Sequence, residues 1–128
     1  MRLENITADM VACGEQQPES DHFIEMENSV IGSEQGTLWR ETKGWFSYKM
    51  KSNGKPVNAV MINSFPDEAR SAEIHVNGVK IGEIDGRDSI HVLKLPNELL
   101  KNSEWEVKIM CGKSDVTLKF RSVRLIFE

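Results

Sequence analysis

The sequence is poor in residues that staple a fold, span a membrane or carry out catalysis. Its 128 residues hold only two cysteines, Cys13 and Cys111. Two cysteines do not make a disulfide framework, so two unpaired thiols are expected. Neither stands in a Cys-x-x-Cys spacing, which leaves zinc and thioredoxin chemistry without support. No apolar run approaches transmembrane length. Met1 to Ile6 lacks the apolar stretch of a signal peptide, so the chain as given is expected to be soluble. Lysine and arginine form no stripe: 16 basic residues lie scattered among 20 acidic ones, for a net charge of −4. That argues against nucleic acid and against an anionic membrane surface as partners. There is no Gly-x-Ser-x-Gly, no P-loop and no Gly-x-Gly-x-x-Gly. The three histidines, His22, His75 and His91, fall in separate predicted elements, so no histidine-based metal or catalytic site is expected.

What is present is alternation. A chain of this length is one domain, able to bury roughly two-thirds of its unfolded surface. The stretch from Trp39 to Met50 holds two of the three tryptophans and the only tyrosine. Phe46, Tyr48 and Met50 fall on one side of an extended chain, with Ser47 and Lys49 on the other, which predicts a strand with one buried face. Val57 to Phe65 is apolar on both sides and predicts a central strand ended by Pro66. Around Asn77-Gly78, the preferred pair for a two-residue type I′ turn, a hairpin is predicted that pairs Val76 with Val79 and Ile74 with Ile81. Its parity slips afterwards, which predicts a bulge at Gly82. Further strands are expected over 89–95, 105–110, 116–121 and 123–127, with a helical turn near Pro96 to Leu100. Residues 22–27 suit a short edge strand or a helix, with Gly32 and Gly36 bracketing a loop. Residues 1–20 are polar and punctuated by Gly14 and Pro18, and are expected to be a linker, with a short strand possible over Thr7 to Ala12. Seven to nine short strands separated by turns make an all-β, antiparallel sandwich or barrel over 21–128.

Three groups of residues are candidates for chemistry. Trp39 lies beside Arg40 and Glu41, and Trp45 follows closely. An aromatic ring flanked by hydrogen-bonding charges suits a sugar, the ring stacking on C–H faces and the charges bonding hydroxyls. Equally, Trp39 can plug the end of the sandwich. Trp105 alternates with polar neighbours and is expected in the core. Glu25, Glu27 and Glu128 are candidate oxygen ligands for a structural calcium if the first and last strands lie side by side; otherwise they are exposed acids on edge strands.

The runs Gly14-Glu15-Gln16-Gln17-Pro18-Glu19 and Gly44-Trp45-Phe46-Ser47-Tyr48, with Glu27-Asn28-Ser29, Gly32 and Trp39-Arg40, resemble the C-terminal region of β-L-arabinofuranosidase-type glycoside hydrolases. The likeness runs from about Thr7 to the C-terminus, though the later strands match only in pattern. It implies a jelly-roll sandwich, galactose-binding-domain-like in fold. It further implies an accessory domain that follows a catalytic (α/α) barrel and β-sandwich domains in multi-domain enzymes of plant-glycan-degrading, Bacteroides-like gut bacteria. The catalytic carboxylate and cysteine-bound zinc of those enzymes belong to the barrel, and nothing here matches them. The resemblance therefore implies a non-catalytic domain that binds or positions carbohydrate, in a periplasmic or extracellular parent enzyme. It also implies that residues 14–19 pack against a neighbouring domain. The alternatives are a purely structural brace for the barrel, and an enzyme in its own right.

Overall fold

The computed structural model describes residues 3–127. Among them are nine strands: β1 (Thr7–Ala12), β2 (Glu25–Glu34), β3 (Thr37–Lys51), β4 (Ala59–Ser64), β5 (Ser71–Val76), β6 (Val79–Asp85), β7 (Ile90–Lys94), β8 (Glu104–Cys111) and β9 (Phe120–Ile126). One short helix, α1 (Gln16–Asp21), lies between β1 and β2. Every strand pairing is antiparallel. The pairings make two layers, β2-β3-β8-β5-β6 and β1-β9-β4-β7, stitched where Arg40 of β3 pairs with Phe120 of β9. The fold is an antiparallel β-sandwich of jelly-roll type.

Alternation supplies the core. Phe46, Tyr48 and Met50 of β3 face inward beside Val107 and Ile109 of β8 and Ile74 and Val76 of β5. Val60 and Ile62 of β4, with Val123 and Leu125 of β9, close the other side. Each such side chain contributes about 1.5–3 kcal/mol through burial. Phe46 meets Tyr48 and Phe120 edge to face, with centroids 5.6 and 5.9 Å apart. Trp105 is buried as expected and donates its indole N–H to the Leu99 carbonyl at 2.9 Å, anchoring the 3-10 turn Asn97–Leu99.

Five expectations need correction. The segment expected as a linker is built into the sandwich. Its possible strand over Thr7 to Ala12 forms and pairs with β9, and Val11, Cys13 and Glu19 are buried. The strand predicted around Phe46, Tyr48 and Met50 begins already at Thr37, and β2 runs straight through Gly32, so the loop is only Gln35-Gly36. The Asn77-Gly78 turn forms with positive φ at both residues, 50° and 80°, but the extra residue is Ile81, because Ile74 pairs with Gly82. The expected strand over 116–121 is irregular until Phe120, since Thr117 instead docks onto Thr42 of β3 through two hydrogen bonds.

Candidate functional site

Strand alternation divides the residues singled out in the sequence. Along β3, Arg40, Thr42, Phe46 and Tyr48 are buried on the core side, while Trp39, Glu41 and Trp45 lie on the outer side. Arg40 is therefore not beside Trp39 in space and faces no solvent cleft. Its guanidinium grips Glu19 of α1 in a two-pronged contact, Nε–Oε2 at 2.7 Å and Nη2–Oε1 at 2.8 Å. Nη1 also donates to Ser29 Oγ at 2.9 Å and to Met26 Sδ at 3.2 Å. The Tyr48 hydroxyl donates to Glu19 Oε2 at 2.5 Å. Burial alone would push the Glu19 carboxyl up; the hydrogen bonds from Arg40, Tyr48 and the Gly14 backbone outweigh it and hold the group below its ordinary range. Burial pushes Tyr48 well up and Cys13 up to about 12, so both stay protonated. The Gly14-to-Glu19 run thus ends inside this domain: Glu19 serves Arg40 and Tyr48 here, while Glu15, Gln16 and Gln17 stay exposed.

The two outer tryptophans are separate. Six residues of extended strand put Trp39 and Trp45 roughly 20 Å apart, too far for one small platform. Trp39 lies on Gly32 of β2, where a Cβ would fall 2.3 Å from its ring, and Lys119 Nζ stands 4.8 Å from the ring centroid. Its indole nitrogen is buried without a hydrogen-bond partner among the described residues. Lys108 Nζ stands 4.2 Å from the centroid of Trp45. Each indole is thus capped by a lysine, a contact of about 0.5–1 kcal/mol at an exposed site.

Glu41 belongs to a built hollow. Between β2 and β3 the register skips Asn28 on one strand and Lys43 and Gly44 on the other. Asn28 takes a φ of 55° at this bulge, and Gly44 approaches Glu27 so closely that a Cβ would meet its carbonyl oxygen at 2.5 Å. The bulge turns Asn28 and Lys43 toward an open groove of about 750 Å³. Val30 and Val116 supply its apolar lining, and Glu41 and Arg70 face it as an ion pair at 2.8 Å. Arg70 is fixed further by Asp67, at 3.2 Å, and by the Thr117 carbonyl, at 3.2 Å. The groove therefore offers fixed donors and acceptors above an apolar floor, the equipment for holding a polyhydroxylated molecule. Asn28 enters the sequence reading only through the resemblance, with no role, and Arg70 and Val116 are unmarked because they come from distant segments with no shared motif.

The calcium candidates do not assemble. Glu25 and Glu27 lie exposed on edge strand β2, opposite Ser47 and Trp45. Glu128 lies outside the described residues. The first and last strands do lie side by side, but β2 pairs with neither. Among the described residues no three acidic, histidine or cysteine side chains converge as a metal site. The histidines remain apart: His22 meets Asp9, His75 meets Glu73, and His91 meets Ser64. Cys13 and Cys111 are both free thiols. Among the described residues no helix is long and apolar enough to cross a membrane.

Several solved structures share this fold. A family 35 carbohydrate-binding module from an environmental isolate superposes with a TM-score of 0.68 at 18% identity, over 93% of each chain. A CBM36 module in complex with calcium and xylotriose matches with a TM-score of 0.55 at 10% identity, over 89% of this chain and 96% of that one. An exo-β-1,3-galactanase from Phanerochaete chrysosporium matches with a TM-score of 0.62 at 14% identity, over 93% of this chain. This chain spans only 29% of that enzyme's length. At these identities the likeness establishes the fold. No curated protein sequence matches the chain. Residues 2–126 match a family of unknown function, DUF6805, and the chain belongs to that family.

Proposed function

We propose that this domain is a non-catalytic carbohydrate-binding module that holds its ligand in the groove between the β2–β3 bulge and the 112–119 segment. The observation that carries the reading is the Glu41–Arg70 pair, held beside Asn28 and Lys43 over Val30 and Val116. Glu41 accepts from hydroxyls, Arg70 and Lys43 donate, and the Asn28 amide does both. The fold shared with carbohydrate-binding modules supports this reading. In it, Glu41 is retained from the residues singled out in the sequence, whereas Arg40 holds the scaffold. The resemblance noted in the sequence extends the proposal: the ligand is an arabinose-containing plant glycan. The domain then serves catalytic and β-sandwich domains of a longer, periplasmic or extracellular bacterial glycoside hydrolase.

Titration calorimetry with arabinose-containing plant oligosaccharides tests this. Module-scale affinity near millimolar corresponds to about −4 kcal/mol. Lys43 is exposed, so Lys43→Ala leaves the fold intact and should weaken binding several-fold. Absence of heat with any such oligosaccharide, or unchanged affinity in both Lys43→Ala and Glu41→Gln, overturns the reading.

A further inference from the structure

We propose that the outer face of the β1-β9-β4-β7 layer carries a second site, for an oxyanion: the carboxylate or sulfate group of an acidic glycan. Three described arginines are neutralised locally, Arg40 by Glu19, Arg70 by Glu41 and Asp67, and Arg87 by Asp85. Arg121 and Arg124 have no carboxylate partner among the described residues. Arg124 Nη1 donates to the Thr7 hydroxyl at 3.1 Å, and Arg121 lies over the Phe65 ring at 5.2 Å. Both line the same hollow of about 480 Å³, within the range of small-molecule sites.

Local backbone geometry brings the two together. Asn63 of β4 pairs with Ser122 of β9, but the next residue, Ser64, pairs with Phe120. Arg121 is therefore the extra residue of a β-bulge, which re-aims its side chain. Ser122 and Arg124, two positions apart, share the outer face, with Asn63 opposite the first and Met10 of β1 opposite the second. The residues lining the hollow thus include two arginines, Asn63 and Ser122, with Met10 and Leu38 as apolar neighbours. Guanidinium groups bind carboxylate and sulfate through paired, charge-assisted hydrogen bonds. Arg121, already stacked on Phe65, loses little freedom in doing so. Glu15 is the one acid lining the hollow and, among the described residues, pairs with neither arginine. The chain's net charge of −4 would repel an anion in general, which makes a local pair of unneutralised arginines more selective.

Taking a glycan as the carrier rests on the carbohydrate-binding reading above; the arginine pair and its hollow do not. The test is a ¹⁵N NMR titration of the full chain at low salt with galacturonate disaccharide, galactose 6-sulfate and neutral galactose. The charged probes are expected to shift the amides of Asn63, Ser122 and Arg124. Arg121→Gln and Arg124→Gln should each weaken that response about tenfold or more, while Lys43→Ala leaves it unchanged. The order of the two charged probes tells carboxylate from sulfate. The proposal fails if neither charged probe shifts these residues at tens of millimolar, or if neutral galactose shifts them as strongly. It also fails if both variants, folded by circular dichroism, respond as the parent does. Charged probes binding here while oligosaccharides leave Asn28 and Lys43 unmoved would remove the groove alone; the reverse would remove this site alone.

Discussion

Arg40 and Trp39 are neighbours in sequence and face opposite sides of β3. The pairing that matters for Arg40 is with Glu19, 21 residues earlier, and Tyr48 completes the cluster. Glu19, Arg40 and Tyr48, separated in the sequence, are thus one buried unit. Removing one partner leaves a charge buried and alone, so Glu19→Gln or Arg40→Ala should cost about 3–5 kcal/mol in chemical denaturation. The unit also sets a pH dependence. Because the folded carboxyl of Glu19 titrates below its ordinary value of 4.5, its stabilisation is complete above that pH and is lost as pH falls through the depressed value. Thermal melts of the parent should therefore fall below pH 4.5, and those of Glu19→Gln should fall less steeply. At Gly32, a methyl group would collide with the Trp39 ring. Gly32→Ala should displace the indole, costing about 1–3 kcal/mol and changing the tryptophan emission.

Elements differ in how far the sequence alone reveals them, and the difference is one of range. The β5–β6 hairpin is legible because its turn chemistry is local: Asn77 and Gly78 accept positive φ whatever surrounds them. The first half of β3 is not, because its core-facing residues are Arg40 and Thr42, polar groups whose partners lie far off in the chain. Helix α1 is hidden for the same reason, since its one buried residue is a glutamate. Glu41 was legible as a polar neighbour of tryptophan; Arg70 and Asn28, which complete its groove, were not, because only the folded chain brings 28, 41 and 70 together. Integration of β1 and α1 gives a prediction at this scale. Deleting residues 1–21 removes Val11, Cys13 and Glu19 and strands Arg40 and Tyr48 in the core. The truncated chain should lose cooperative unfolding, whereas loss of a mere linker would leave the melting temperature unchanged.

For the molecule as a whole, the sandwich supplies a rigid frame and irregular segments supply the recesses. The bulge in β2–β3, the 65–70 loop and the 112–119 segment meet at the groove of Glu41 and Arg70. The bulge in β9 opens the separate hollow of Arg121 and Arg124 on the opposite layer. Neither Trp39 nor Trp45 is among the residues lining the first site, so Trp45→Ala should leave sugar affinity within about twofold in calorimetry. The most direct test of carbohydrate binding is a ¹⁵N NMR titration with an arabinose-containing oligosaccharide. Recognition in the groove predicts saturable shifts clustered at Asn28, Glu41, Lys43, Arg70 and Val116. No shifts at millimolar sugar, or shifts confined to Trp45 and Lys108, would contradict it.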